Sequence, residues 1–135
     1  MASPEQILRD YSVLAIVGAS RDPNKSAHNV PLALQAAGFQ IIPVNPFVDG
    51  ELFGSPVYPR LSSIPRRVEI VVVFRPAAEA PAIASEAVKV GAKALWLQQG
   101  IVSPEARRIA EDAGLLFVED RCTAVVRALH QIHKQ

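Results

Sequence analysis

Cysteine is nearly absent from this chain: Cys122 stands alone among 135 residues. No intrachain disulfide can form, nor any zinc site built from several thiolates. Neither charge predominates, with 14 Lys and Arg against 13 Asp and Glu and a formal charge of +1. Sequence-independent binding to DNA or RNA needs a clustered basic surface, so no nucleic-acid partner is expected. No apolar run approaches the roughly 20 residues that cross a bilayer. The start, Met1-Ala2-Ser3-Pro4-Glu5, lacks the basic residues and apolar stretch of a signal peptide. These absences leave a cytoplasmic protein with a small-molecule ligand and no membrane partner as the expectation.

Half the residues are hydrophobic and a fifth are charged, as in a globular chain. The length suits a single domain over residues 1–135. Five short apolar runs stand out: Val13 to Val17, Phe39 to Val44, Ile70 to Phe74, Ala94 to Leu97, and Leu115 to Val118. Most do not alternate with polar residues, which fits strands covered on both faces of a parallel sheet. Between them the period turns helical. Val30, Ala33, Leu34 and Ala37 form one stripe, ending at Gly38. Ala80, Ile83, Ala87 and Val90 form the next, ending at Gly91. Ala106, Ile109, Ala110 and Ala113 form a third, opened by Ser103-Pro104 and closed by Gly114. Cys122, Val125, Val126, Leu129 and Ile132 mark a last helix, and Ser3-Pro4-Glu5-Gln6 is a capping box for a first. Alternating strands and helices with right-handed crossovers give an α/β fold: a Rossmann-like, doubly wound, mostly parallel sheet of about five strands flanked by helices. Residues 45–65 read as a loop with one short edge strand near Val57. Pro43 has no N–H to give a ladder, so the second strand should lose regular pairing there.

In such a sheet ligands bind beyond the carboxyl ends of the strands. This picks out Gly18 to Lys25, Val44-Asn45-Pro46, Phe74-Arg75-Pro76 and Gln98-Gln99-Gly100. The first is a strand-to-helix turn, the kind that offers backbone N–H groups to an anion. Ser20 can donate a hydrogen bond, and Arg21 and Lys25 can balance phosphate charge. An ordinary loop with solvated cations reads equally well from this segment alone. A G-x-G-x-x-G fingerprint is missing, because Ser20 and Pro23 stand where its second and third glycines would fall. No carboxylate ends the second strand, and no P-loop is present. NAD is thereby disfavoured, and ordinary ATPase chemistry has no support.

Taken together, these segments resemble the small CoA-binding domain family, stand-alone relatives of the CoA-binding domain of succinyl-CoA synthetase alpha subunits. The resemblance is carried by Ala15 to Ser20, Asp22-Pro23-Asn24-Lys25, His28 with Val30-Pro31, Ile42 to Pro46 and Val72 to Pro76. It continues through Leu95 to Gln98, Gly100-Ile101 and Asp120-Arg121-Cys122, in order over nearly the whole chain. It implies a fold that holds coenzyme A, or an acyl-CoA, across the carboxyl edge of the sheet. Gly18, Ala19 and Ser20 would meet the diphosphate, and Lys25 would supply charge to a phosphate. Asn45 and Pro46 would border the nucleotide. Phe74, Arg75 and Pro76, with Gln98 and Gly100, would line the adenosine or pantetheine path. The stretch after Cys122 (Thr123 to Arg127) is more apolar than the family pattern, so the resemblance assigns the last helix no role.

No catalytic residue and no metal site are nominated. The synthetases perform phosphoryl transfer with a His and partner domains outside this module, so that activity is not carried over. His28 could touch a ligand or simply cap a helix. His130 and His133, spaced i, i+3 on the expected last helix, have no further ligand beside them. Cys122 could exchange with a CoA thiol, but its apolar stripe reads more plainly as a buried structural cysteine. Glu111-Asp112 reads as a solvated helix surface, and Asp120 as a cap for the last helix. The expected role is a non-catalytic CoA-binding module. A small NAD(P)-dependent oxidoreductase and a nucleotide-sensing or interaction scaffold are the alternatives.

Overall fold

The computed structural model describes residues 2–135. Five parallel strands form the main sheet: β1 (Val13–Val17), β2 (Gln40–Val44), β5 (Ile70–Val73), β6 (Ala94–Leu97) and β7 (Leu116–Val118). Their spatial order is β2-β1-β5-β6-β7. A separate two-stranded hairpin, β3 (Glu51–Leu52) with β4 (Ser55–Pro56), follows β2. Helices α1 (Pro4–Asp10), α2 (Ser26–Ala36), α3 (Ala80–Lys89), α4 (Pro104–Asp112) and α5 (Thr123–Leu129) complete the fold. This is the Rossmann-like α/β architecture expected.

Period-two alternation sends neighbouring strand residues into two cores. Leu14, Ile16, Ile70, Val72 and Trp96 face α1, α2 and α5 through Ile7, Leu8, Leu34 and Val126. Ala15, Val71, Val73, Leu95 and Leu97 face α3 and α4 through Ala80, Ala84, Ala87, Ala106 and Ala110. Alanines let those two helices lie close to the sheet. Ser3 and Ser103 cap α1 and α4 as expected, accepting from Gln6 N (3.3 Å) and Ala106 N (3.1 Å), each ahead of a proline in the first turn.

Four expectations need correction. Pairing does not fail at Pro43, which stays in register opposite Ile16. The Pro43 carbonyl accepts from Tyr58 N at 3.0 Å on the outer side of β2, so the missing N–H also faces outward, where β1 does not need it. In α2 the buried positions are Pro31 and Leu34, with Ala37 buried at the C-cap, while Ala33 is exposed. The last helix stops at Leu129, so His130 and His133 share no helix face. Gln131 turns left-handed at φ 52°, and the tail folds back so that Lys134 N donates to Ala37 O at 2.7 Å. That docking needs Gly38, where a Cβ would stand 2.1 Å from the Lys134 carbonyl oxygen. Finally, the last apolar stripe is only partly inward. Val126 and Ile132 are buried, but Val125 and Leu129 are exposed and Cys122 is half-buried at the N-cap of α5.

No helix among the described residues is long and apolar enough to cross a membrane.

Candidate functional site at the switch point

β1 is followed by β2 on one side and by β5 on the other, which puts the topological switch point between the carboxyl ends of β1 and β5. Gly18 leaves β1 there with φ +92°, and a Cβ on it would lie 2.9 Å from Arg75 Cδ and 3.0 Å from the Phe74 carbonyl oxygen. The glycine thus lets the end of β5 close against the end of β1.

Two cavities open on either side of the Phe74-Arg75 wall. One, of about 110 Å³, is lined by Val17, Gly18, Asn45, Pro46, Phe47, Arg75, Glu79 and Ile83. The other, of about 160 Å³, is lined by Ser26, Val30, Phe74, Gln98, Gln99, Ile101 and Cys122. The first therefore takes in Gly18, Asn45, Pro46 and Arg75 of the residues singled out from sequence, and the second takes in Phe74 and Gln98. Ala19, Ser20, Lys25, Pro76 and Gly100 line neither cavity. Ala19 is buried and Ser20 half-buried within the loop, whereas Lys25, Pro76 and Gly100 are exposed. A wider depression of about 390 Å³ lies beside β7 and the C-terminal end of α4, away from the switch point.

The loop from Gly18 to Lys25 is built more rigidly than its sequence discloses. Gly18 N donates to Val44 O (2.9 Å) and Ser20 N to Ala27 O (3.2 Å). The Ala27 carbonyl is left open to the second bond because Pro31, inside α2, has no N–H to return to it four residues later. His28 Nδ1 donates to Ser20 O at 2.7 Å, so His28 braces the loop. Asn45 Nδ2 donates to Ala19 O (2.9 Å), while its Oδ1 accepts from Phe47 N (2.8 Å). Arg21 does not face the cleft: its guanidinium donates to Glu51 O (2.7 Å) and to Asp49 O, fastening the loop to the hairpin region.

Several donors remain. The N–H groups of Ala19, Ser26 and Ala27 make no hydrogen bond to the backbone, and Lys25, the N-cap of α2, makes no side-chain cap. An 11-residue helix with an uncapped start presents partial positive charge at its N-terminus. Arg75 is engaged for now, donating from Nε (3.1 Å) and Nη2 (2.7 Å) to the two oxygens of Glu79. Hydrogen bonding to Arg75 holds the Glu79 carboxyl below its ordinary range, and Glu79 in turn raises the guanidinium pKa. Both groups are well exposed, so the pair is weak enough for a phosphate to compete with it.

Sequence reasoning missed Glu79 and Phe47. Glu79 stands four residues beyond Arg75, a helical ion-pair spacing that could have been read. Phe47 carries no such signal, yet it is 90% exposed at the rim of the first cavity. Asp120 does not cap α5. It is left-handed at φ 56°, and its Oδ1 accepts from Gly100 N at 2.7 Å. No cluster of His, Cys, Asp and Glu among the described residues could hold a metal ion.

By shape this is a doubly wound α/β fold with a divided cleft on the carboxyl edge of its sheet. The chain belongs to the CoA binding domain family, whose sequence profile matches residues 12–128. It is 36% identical over 128 residues to protein YneT of Bacillus subtilis strain 168, covering 95% of this chain and 94% of that one. A solved structure of a hypothetical protein from Pyrococcus horikoshii OT3 superposes with a TM-score of 0.89 at 33% identity, covering 95% of this chain and 92% of the other. The chain is also 31% identical over 100 residues to the ADP-forming acetate–CoA ligase II of Archaeoglobus fulgidus. That match takes in 73% of this chain but 15% of the ligase.

Proposed function

We propose that this protein binds coenzyme A or an acyl-CoA across the switch point, as a non-catalytic binding module. The observation that carries the reading is the division of the cleft. A largely apolar cavity edged by Arg75, Glu79 and the exposed Phe47 ring lies on one side of the Phe74-Arg75 wall, and a more open cavity with Gln98 lies on the other. Coenzyme A is divided in the same way, with a nucleotide at one end and an amide-bearing chain at the other. Its diphosphate would lie between the cavities, against the Ala19 N–H, the Ser20 hydroxyl and the uncapped start of α2, with Lys25 beside it. Asn45 and Pro46 would border the nucleotide. Family membership supports the same ligand.

Calorimetry and thermal unfolding with CoA, acetyl-CoA, NAD, NADP and ADP test this. At about 100 times its Kd, CoA should add about 2.7 kcal/mol of stability, and NAD none. Lys25→Ala should weaken CoA binding by about 1 kcal/mol, roughly fivefold. Lys89→Ala, at the far end of α3, should not. Stabilisation by NAD or NADP alone would transfer the reading to a dinucleotide enzyme. No stabilisation by any of the five would leave a scaffold.

A further inference from the structure

We propose that Cys122 undergoes thiol–disulfide exchange with the disulfide of the cleft's own ligand, tethering one CoA covalently at the end of the second cavity. This inference rests on the CoA reading above. Its foundation is Gln98, which is 4% exposed and lines the same cavity as Cys122. The side-chain atom of Gln98 that meets Thr123 N at 2.9 Å must be the oxygen, because a backbone N–H only donates. The same Oε1 accepts from Thr123 Oγ1 at 2.8 Å. The acceptor is thus fully used, while the Nε2 amide nitrogen has no partner among the described residues.

That amide nitrogen is not sealed within the protein. Among the described residues the sealed, unpartnered side-chain atom is Arg127 Nε. The small exposed remainder of Gln98 therefore opens onto the cavity, with a donor that lacks an acceptor. An amide N–H left free at the cavity wall needs an acceptor that fits it, and the amide carbonyls of a pantetheine chain are such acceptors. Val30, Phe74 and Ile101 provide apolar wall for the methylenes between them.

Cys122 immediately precedes Thr123, so the two bonds from Gln98 also hold the cysteine backbone at the cavity wall. Cys122 is half-buried and borders a second depression, shared with Val125 and Leu129, on its other side. The thiol can be approached from the cleft, and a displaced thiol has a way out.

The reaction balances without an outside oxidant. The Cys122 thiolate attacks one sulfur of CoA disulfide, and a bond forms between Sγ and that sulfur as the original S–S bond breaks. The electron pair leaves with the second CoA as its thiolate, which takes up the proton Cys122 released. One disulfide is consumed and one is formed.

Because Cys122 is the only cysteine, an adduct can have only one address. Native protein should be incubated with CoA disulfide and followed by intact mass. The expected gain is one CoA less two hydrogens, reversed by dithiothreitol and absent in Cys122→Ser. Guided by binding, the rate should exceed that with glutathione disulfide by about tenfold or more. Excess desulfo-CoA, which fills the cleft without a thiol, should abolish the difference. Equal rates with the two disulfides, in protein that calorimetry shows to bind CoA, would overturn the exchange and leave the binding reading intact. Failure to bind CoA at all would overturn both.

Discussion

Gly18 concentrates two constraints in one residue, a left-handed backbone and contact with Arg75 and Phe74 where the strands diverge. Gly18→Ala is expected to cost about 1–3 kcal/mol, read from the urea midpoint, because both the conformation and the space oppose a Cβ. Lys134 makes a different case. Its Nζ lies 5.4 Å from the Phe39 ring centroid and donates to Arg9 O at 2.5 Å. Burial lowers its pKa from the ordinary 10.5, against the pull of Asp10 and Glu69. The unfolded chain therefore holds this proton more tightly than the native one, and Lys134 makes stability rise with pH between the lowered value and 10.5. Lys134→Met removes that rise. Urea midpoints of the two proteins, compared from about pH 8 upward, should move in favour of the wild type. A difference independent of pH would remove the argument.

At the scale of elements, α2 gives up an internal hydrogen bond to hold the loop before it. Pro31→Ala restores an N–H that can return to the Ala27 carbonyl, in competition with Ser20. The helix should be as stable as before or gain up to about 2 kcal/mol. The Ser20 amide should exchange faster, and CoA should bind several-fold more weakly. Hydrogen exchange across residues 18–25, paired with calorimetry, would detect a helix that improves while its loop deteriorates. The same element shows where sequence stops being informative. The five strands were legible because their apolar runs need cover on both faces. The hairpin was not, since its turn is two left-handed residues, Phe53 (φ 59°) and Gly54 (φ 75°), and phenylalanine does not announce such a turn. The end of α5 was hidden for another reason: the tail stops being helical in order to reach Ala37 and Gly38, a contact between distant parts of the chain. In the site, backbone position was readable and bonding was not. Nothing local to Arg21, His28 or Asn45 says that each is occupied in bracing loops, and nothing local to Gln98 says that it reaches Thr123.

Over the whole molecule, the first and last elements pack together. His130 Nε2 is 3.7 Å from Glu5 Oε2, α1 and α5 are in contact, and the tail bonds back to Arg9. Neither switch-point cavity is lined by α1, His130 or the tail, although Cys122 at the N-cap of α5 borders one of them. The fold can therefore be treated as a closed ring of elements whose chain ends meet outside the lining of both cavities. A circular permutant, joined from Gln135 to Pro4 by a short flexible linker and opened at the exposed turn beside Gly54, should fold and retain its CoA affinity within about threefold. Calorimetry on the permutant would show this. It also means that such a fold could be threaded into a surface loop of another protein, entering and leaving at neighbouring points, while its cleft stayed open to the outside.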